Sequence, residues 1–113
     1  IAHPLLTQIT GSSIDPQVVA QVAEIVAGGR VMVTLDSDHS RKHVLAELNA
    51  YSKLVTPGQY LVAEDCWTRH ETPYEPYYAV EEFLANNPNY RRVNIEKQFI
   101  FAVTRDGWLR RMR

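Results

Sequence analysis

The feature that most constrains the fold is a strand–helix–strand unit in the middle of the chain. "RVMVTL" (30–35) and "QYLVA" (59–63) are short apolar runs typical of strands, and apolar side chains between about 40 and 54 repeat at helical spacing. The first run lacks clean alternation, which favours a strand covered on both faces. Two strands joined by one helix usually lie side by side and parallel, so this unit predicts an α/β protein.

The segments before this unit continue the alternation of strands and helices. "PLLTQIT" (4–10) is a strand candidate that ends at Gly11-Ser12-Ser13. "DPQVVAQVAEIVAGG" (15–29) predicts a helix, because Asp15 is a good N-cap, Pro16 fits the first helical position and two glycines end the pattern.

After the unit, we predict a helix across "YYAVEEFLANN" (77–87), followed by an antiparallel hairpin. Its strands are "YRRVNI" (90–95) and "QFIFAVT" (98–104), and "DGWLRRMR" closes the chain. The predicted fold is a Rossmann-like open α/β sheet with a parallel centre and a C-terminal antiparallel hairpin.

Length, charge and cysteine content narrow the class of protein. A chain of 113 residues forms one domain at most, and a net charge of -1 gives no general attraction to nucleic acid or membrane. The single cysteine, Cys66, excludes a disulfide framework, so a reducing, cytoplasmic setting is expected. No apolar run approaches the roughly 20 residues that span a bilayer. The chain begins Ile-Ala-His-Pro without an initiator methionine, and we interpret it as part of something longer.

Acidic residues follow both central strands. Leu35 leads into Asp36-Ser37-Asp38-His39, and Ala63 leads into Glu64-Asp65. Neighbouring parallel strands lie about 4.8 Å apart, so the two acidic ends are expected roughly 5 to 10 Å from each other. Their carboxylates would repel one another unless a cation neutralises them, and Mg²⁺ prefers such oxygen ligands. The alternative is that Asp38 or Ser40 only caps the following helix.

These residues also carry a family resemblance. "VTLDSDHSRKHVLAELNAYSKLVTPGQYLVAED" followed by "AVEEFL" resembles the cephalosporin hydroxylase family. Its members are built like class I S-adenosylmethionine-dependent O-methyltransferases and are related to rhamnosyl and macrocin O-methyltransferases. The resemblance implies a sheet of order 3-2-1-4-5-7-6. It also implies Mg²⁺-assisted methyl transfer to a small natural product or sugar, with a role such as antibiotic biosynthesis.

The resemblance assigns roles to particular residues. The metal ligands implied are Asp36 or Asp38, then Glu64 and Asp65. His39 occupies the place of a basic lysine in catechol-type enzymes, so it is a candidate general base, or else a hydrogen-bonded group beside the metal. Candidate contacts to S-adenosylmethionine are Gly11, Ser12, Ser13, Asp36 and Ser37. Ser13 is the best single candidate for the adenine contact. The alternative is that 11–13 form only a plain turn before the Asp15 cap.

The resemblance begins at the third strand of the family's sheet. No GxGxxG-like loop is present, and Gly28-Gly29 ends a helix instead. We therefore expect the 113 residues to be the C-terminal portion of a methyltransferase domain, with the glycine loop outside this chain. Strands 4–10 and 30–35 would then have open edges, which an upstream half or, as a homo-oligomer, a second copy would pair. Alone, the chain is expected to bind S-adenosylmethionine poorly.

The loop after Glu64-Asp65 is rich in aromatic residues and borders the expected methyl-acceptor pocket. Its candidates for contact with a planar or sugar substrate are Trp67, Arg69, His70, Tyr74, Tyr77 and Tyr78. Two other functions remain open. One is a hydroxylase component, although the iron-binding pattern of two histidines and one carboxylate is not visible. The other is a non-catalytic methyltransferase-like fragment that acts in assembly.

Overall fold

A computed structural model describes residues 2–67, 74–94 and 104–113. Along the chain it contains α1 (Pro16–Val26), β1 (Val33–Leu35), α2 (Arg41–Tyr51), β2 (Tyr60–Ala63), α3 (Glu75–Asn86), β3 (Tyr90–Arg92) and β4 (Trp108–Arg111). The three predicted helices and the two central strands are confirmed. As predicted, Asp15 caps α1, because its Oδ1 accepts a hydrogen bond from the Gln17 N–H at 2.8 Å.

The described strands form one mixed sheet in the order β1-β2-β4-β3. β1 and β2 are parallel, with Leu35 opposite Ala63, and β4 runs antiparallel to both β2 and β3. This order equals the 4-5-7-6 part of the sheet that the resemblance implies. The prediction of an α/β fold with a parallel centre and an antiparallel C-terminal pair is therefore confirmed.

The strand observed beside β3 is one that the sequence pattern does not predict. β3 pairs with β4, with Tyr90 opposite Arg111, and β4 lies within the closing segment 106–113. Segment 98–103, which was predicted as the partner, lies outside the described residues. Trp108–Arg111 has a weaker apolar pattern than 98–104, and only its Leu109 is fully buried.

The prediction of a strand over 4–10 is wrong. Residues 2–15 form turns and irregular backbone, and Leu5 remains 91% exposed. A strand needs a hydrogen-bonded neighbour, and no described strand lies beside this segment. β1 likewise has a neighbour on one side only within the described residues.

The core lies between the sheet and the helices α2 and α3. Its fully buried side chains include Leu48 from α2, Leu61 from β2, Phe83 from α3 and Leu109 from β4. β2 is covered on both faces, since Leu61, Val62 and Ala63 are all buried. The core therefore fixes the carboxyl ends of β1 and β2 relative to the start of α2.

Gly107 fixes the turn that follows β2. A Cβ atom at this position would lie 2.0 Å from the carbonyl oxygen of Ala63. The Ala63 N–H donates to the Gly107 carbonyl at 3.0 Å, and the Asp106 N–H donates to the Cys66 carbonyl at 2.9 Å. These contacts hold Glu64 and Asp65 at the end of the sheet.

Candidate metal and cofactor site

The parallel pairing of β1 and β2 brings the two acidic strand ends together. Leu35 lies opposite Ala63, and the Glu64 N–H donates to the Leu35 carbonyl at 2.9 Å, one residue beyond the strands. Asp36 and Glu64 therefore begin their loops side by side. This is the juxtaposition that the sequence pattern predicts.

His39 lies between the two loops and contacts a carboxylate from each. Its Nε2 atom is 3.1 Å from Asp36 Oδ1, and its Nδ1 atom is 3.4 Å from Asp65 Oδ2. One potential ligand atom from each of these three residues lies within 4.8 Å of the others. The side chains are 65%, 43% and 41% exposed for Asp36, His39 and Asp65, so water or a substrate oxygen can reach them.

Asp38 hydrogen-bonds to the backbone at the start of α2 and is not part of this cluster. Its Oδ1 accepts a hydrogen bond from the Ser40 N–H at 2.8 Å, and that hydrogen bond lowers the pKa of the Asp38 carboxyl. Of the two aspartates proposed as alternatives in the sequence, the geometry brings Asp36 to His39 and Asp65. Ser40 is the N-cap of α2 but makes no side-chain capping hydrogen bond, and Asp38 instead accepts the N–H of Ser40 itself.

Glu64 borders the same cluster and is affected by its charges. Burial raises the pKa of the Glu64 carboxyl, and the negative charges of Asp36 and Asp65 raise it further. Asp65 adopts a left-handed backbone conformation with φ of 49°, which turns the chain sharply after β2. A bound cation would relieve the repulsion among these carboxylates.

The donor set is consistent with a hard divalent cation. Asp36 and Asp65 offer carboxylate oxygens within the cluster, and Glu64, whose pKa their charges raise, is a third carboxylate beside it. Exposure leaves room for water ligands, which Mg²⁺ retains in most protein sites. Cys66 is not available as a soft ligand, because its thiol is buried and burial raises its pKa to about 12. The residues present therefore fit Mg²⁺ or Mn²⁺ better than zinc.

The predicted cofactor turn at 11–13 is held against α2. The Tyr51 hydroxyl donates to the Ser13 carbonyl at 2.8 Å, and the Ser13 Oγ lies 3.1 Å from His43 Nε2. Gly11 and Ser12 are exposed beside it, and Gly11 has a positive φ of 145°. Ser13 is thus placed on α2 by two contacts, whereas Gly11 and Ser12 show no such side-chain anchor in the described structure.

Sequence reasoning missed two residues of α2 that organise this region. Glu47 is 2% exposed, and it accepts a hydrogen bond from Ser37 Oγ at 2.7 Å. His43, one turn earlier, lies 3.6 Å from Glu47 Oε1. A signal was present: Glu47 falls among the inward-facing positions Val44, Leu48 and Tyr51, where a charged residue requires a polar partner.

Several aromatic residues near the acid pair contact one another in the described structure, and Arg92 lies over the Tyr77 ring at 5.3 Å from its centroid. Trp67 stacks on Tyr74, with ring centroids 5.9 Å apart and planes 7° from parallel. Tyr77 meets the edge of Tyr78 at 6.0 Å, and Tyr78 is partly open to solvent. Arg69 and His70 lie outside the described residues, so the acceptor wall remains a prediction.

Comparison with known proteins places the chain in a family. The family model described as "Rhamnosyl O-methyltransferase/CmcI" matches residues 1–112. The chain belongs to this family. The family resemblance found in the sequence is thereby confirmed.

Individual relatives agree with this assignment. A rhamnosyl O-methyltransferase from Mycobacterium tuberculosis (strain ATCC 25618 / H37Rv) is 32% identical over 109 residues, which cover 90% of this chain and 44% of that protein. A rhamnosyl O-methyltransferase from Mycobacterium leprae (strain TN) is 32% identical over 116 residues, covering 95% of this chain and 51% of that protein. The chain thus spans about half the length of these relatives. None of the helices in the described residues is both long and apolar enough to cross a membrane.

Proposed function

We propose that this chain forms the metal-binding and acceptor-facing half of an S-adenosylmethionine-dependent O-methyltransferase that acts on a sugar hydroxyl of a small molecule. The cluster of Asp36, His39 and Asp65 carries the proposal, because it lies where the two parallel strands end in a member of this family. The sugar acceptor is suggested by relatives named rhamnosyl O-methyltransferases.

Asp36, Glu64 and Asp65 would hold the Mg²⁺ ion. When bound, the metal lowers the pKa of a coordinated hydroxyl and orients it, and S-adenosylmethionine supplies the methyl group. Glu64 must lose its proton to act as a ligand. Because burial and the neighbouring aspartates raise the pKa of Glu64, binding of a cation would release protons at moderately acidic pH.

His39 is the proposed proton acceptor for the sugar hydroxyl. Its two ring nitrogens lie beside Asp36 and Asp65, so a positive charge on the imidazole after proton uptake would face two carboxylates. His39 is also exposed enough to meet a substrate directly.

The hydroxylase alternative requires a second histidine at the metal. In the described part of the chain, His43 instead contacts Ser13 and Glu47, and the ligand cluster contains one histidine and two carboxylates. This donor set differs from the two-histidine, one-carboxylate site of non-haem iron oxygenases. We therefore prefer methyl transfer.

The test compares two aspartates in the intact protein by titration calorimetry with Mn²⁺. Asp36→Asn should weaken Mn²⁺ binding by at least about tenfold. Mutation of a residue that only hydrogen-bonds to a metal ligand already lowers metal affinity by about that factor, and loss of a ligand should lower it no less. Asp38→Asn is the matched control, because an asparagine side-chain oxygen can also accept the Ser40 N–H, and its Mn²⁺ affinity should stay unchanged. An equal loss in both variants would contradict the metal assignment.

A second titration, with S-adenosylhomocysteine, tests the cofactor. Binding at micromolar ligand is expected from an enzyme of this class. If the intact protein does not bind it at millimolar concentration, the catalytic proposal fails and the assembly role is supported.

A further inference from the structure

The buried carboxylate of Glu47 is linked to both serines that the family resemblance predicts at the cofactor. It contacts Ser37 directly and Ser13 through His43. Glu47 Oε1 lies 2.7 Å from Ser37 Oγ and 3.6 Å from His43 Nε2, and the same Nε2 lies 3.1 Å from Ser13 Oγ. Ser37 follows β1, whereas Ser13 belongs to the turn before α1. Because His43 and Glu47 are one helical turn apart on α2, the two serines reach the same face of that helix.

The contact with Glu47 fixes the direction of the Ser37 hydroxyl. A carboxylate has no hydrogen to give, so the Ser37 O–H donates to Glu47. The lone pairs of Ser37 Oγ then remain for another partner. Ser37 is exposed, so it can offer an acceptor to a ligand.

Through His43, Glu47 has the opposite effect on Ser13, whose hydroxyl becomes a donor toward other groups. The approach of Nε2 to the Glu47 carboxylate is attractive when Nε2 carries a hydrogen. That N–H also faces Ser13 Oγ, which accepts it at the shorter distance of 3.1 Å. The hydrogen of the Ser13 hydroxyl is then free to donate elsewhere.

We propose that Glu47 is a positioning residue that makes Ser37 an acceptor and Ser13 a donor toward the base of the bound nucleoside. The inference rests on the proposed function, since it assumes that a nucleoside-containing cofactor occupies this face. It adds a determinant of base specificity on α2, and Glu47 itself touches no ligand.

The donor–acceptor pair matches adenine and opposes hypoxanthine. Adenine presents a ring-nitrogen acceptor next to an amino donor, whereas a 6-oxo purine presents an acceptor oxygen where adenine has the amino group. With hypoxanthine, Ser37 would face that oxygen without a hydrogen between them. A polar group left unpaired in this way weakens binding.

The experiment measures the affinities of the intact protein for S-adenosylhomocysteine and for its hypoxanthine counterpart, S-inosylhomocysteine, by calorimetry. The unmodified protein should prefer the adenine ligand by about tenfold or more. Glu47→Gln should reduce the ratio of the two affinities to within about threefold, because a neutral amide, which can accept or donate, no longer imposes one direction on the Ser37 hydroxyl. Glu81→Gln is the control: it removes the α3 carboxylate that pairs with Arg92 of β3, and it should keep the original ratio.

Two further variants keep the test decisive if Glu47→Gln folds poorly. Ser37→Ala and Ser13→Ala each remove one hydroxyl, and each should lower the adenine preference. A ratio near one in the unmodified protein, or a ratio that survives all three variants, would overturn the inference while leaving methyl transfer in place. Failure to bind either ligand would instead overturn the proposed function and this inference together.

Discussion

Helices α1 and α2 have the same length of 11 residues, and both were predicted from an apolar stripe, yet they occupy different environments. α2 buries Val44, Glu47, Leu48 and Tyr51 against the sheet and α3, whereas no residue of the more apolar α1 is fully buried. Val19 and Val22 only reach the margin of the core, and Ile25 is 52% exposed. An apolar stripe thus predicts that a helix needs a surface to pack against. Of these two helices, only α2 has buried residues packed in that way.

The difference extends to the candidate site. α2 begins directly after the β1 loop, and its buried face holds Ser13 and Ser37 through His43 and Glu47. α1 contributes no side chain to the Asp36–His39–Asp65 cluster in the described structure. The well-packed helix α2 therefore also positions residues of the candidate site. Four measurements test this contrast between α1 and α2 and the packing around it.

The largest effect is expected from Leu48→Ala. Leu48 is fully buried, so its truncation should lower the free energy of unfolding by about 3 to 4 kcal/mol through lost burial and a cavity. Ile25→Ala on α1 should cost less than about 1 kcal/mol, because half of that side chain already meets solvent. Urea titrations of the intact protein measure both, and similar losses would mean that α1 is covered there.

Gly107→Ala should come next. The new Cβ would meet the Ala63 carbonyl, which belongs to rigid backbone, so we expect a loss of about 2 to 3 kcal/mol. The resulting displacement of the Ala63 backbone should also weaken Mn²⁺ binding, because Gly107 supports the Glu64–Asp65 turn. Gly28→Ala, after α1, is the control: its positive φ is strained but its Cβ meets nothing within 4 Å, so about 1 kcal/mol and unchanged Mn²⁺ affinity are expected.

Tyr90 should give a smaller, pH-dependent effect. Its buried hydroxyl donates to the Ser52 carbonyl, just after α2, at 2.7 Å, and burial raises its pKa from 10.0 to about 12. The folded state holds this proton more tightly than the unfolded state, so the stabilisation is complete below pH 10 and is lost as the pH rises through about 12. Tyr90→Phe should cost about 1 to 2 kcal/mol at neutral pH and flatten this alkaline decline in thermal melts. A decline that is unchanged in the variant would exclude Tyr90 as its source.

Asp15→Ala should have the smallest effect. It removes the hydrogen bond from the Gln17 N–H that caps α1, which is worth about 0.5 to 1 kcal/mol. The loss should appear as faster amide hydrogen exchange within α1, with little change in global unfolding, because α1 adds little to the core. Protection lost equally across α2 would contradict the contrast between the two helices.

Much of the fold could be predicted from local patterns. The caps, the apolar spacing and the two acidic strand ends lie within short segments, so α1, α2 and the β1–β2 pair were correctly predicted. The strand predicted at 4–10 was wrong, and the pairing of β3 with β4 was not predicted, because strand pairing depends on residues far apart in the sequence. The sequence also did not show that Asp36, rather than Asp38, lies in the cluster with His39 and Asp65, since both follow the same strand by one or three residues.

What the sequence alone determined is which residue types stand where chain direction changes: carboxylates after two strands, an imidazole three residues beyond one of them, and a glycine where β4 begins. Those are local constraints, set by spacing and backbone geometry. Only the tertiary structure decided that His39 lies between Asp36 and Asp65, and that Glu47 joins Ser37 to Ser13 through His43. These contacts arise from parallel pairing and from burial of one helix face, which bring together groups that are distant along the chain.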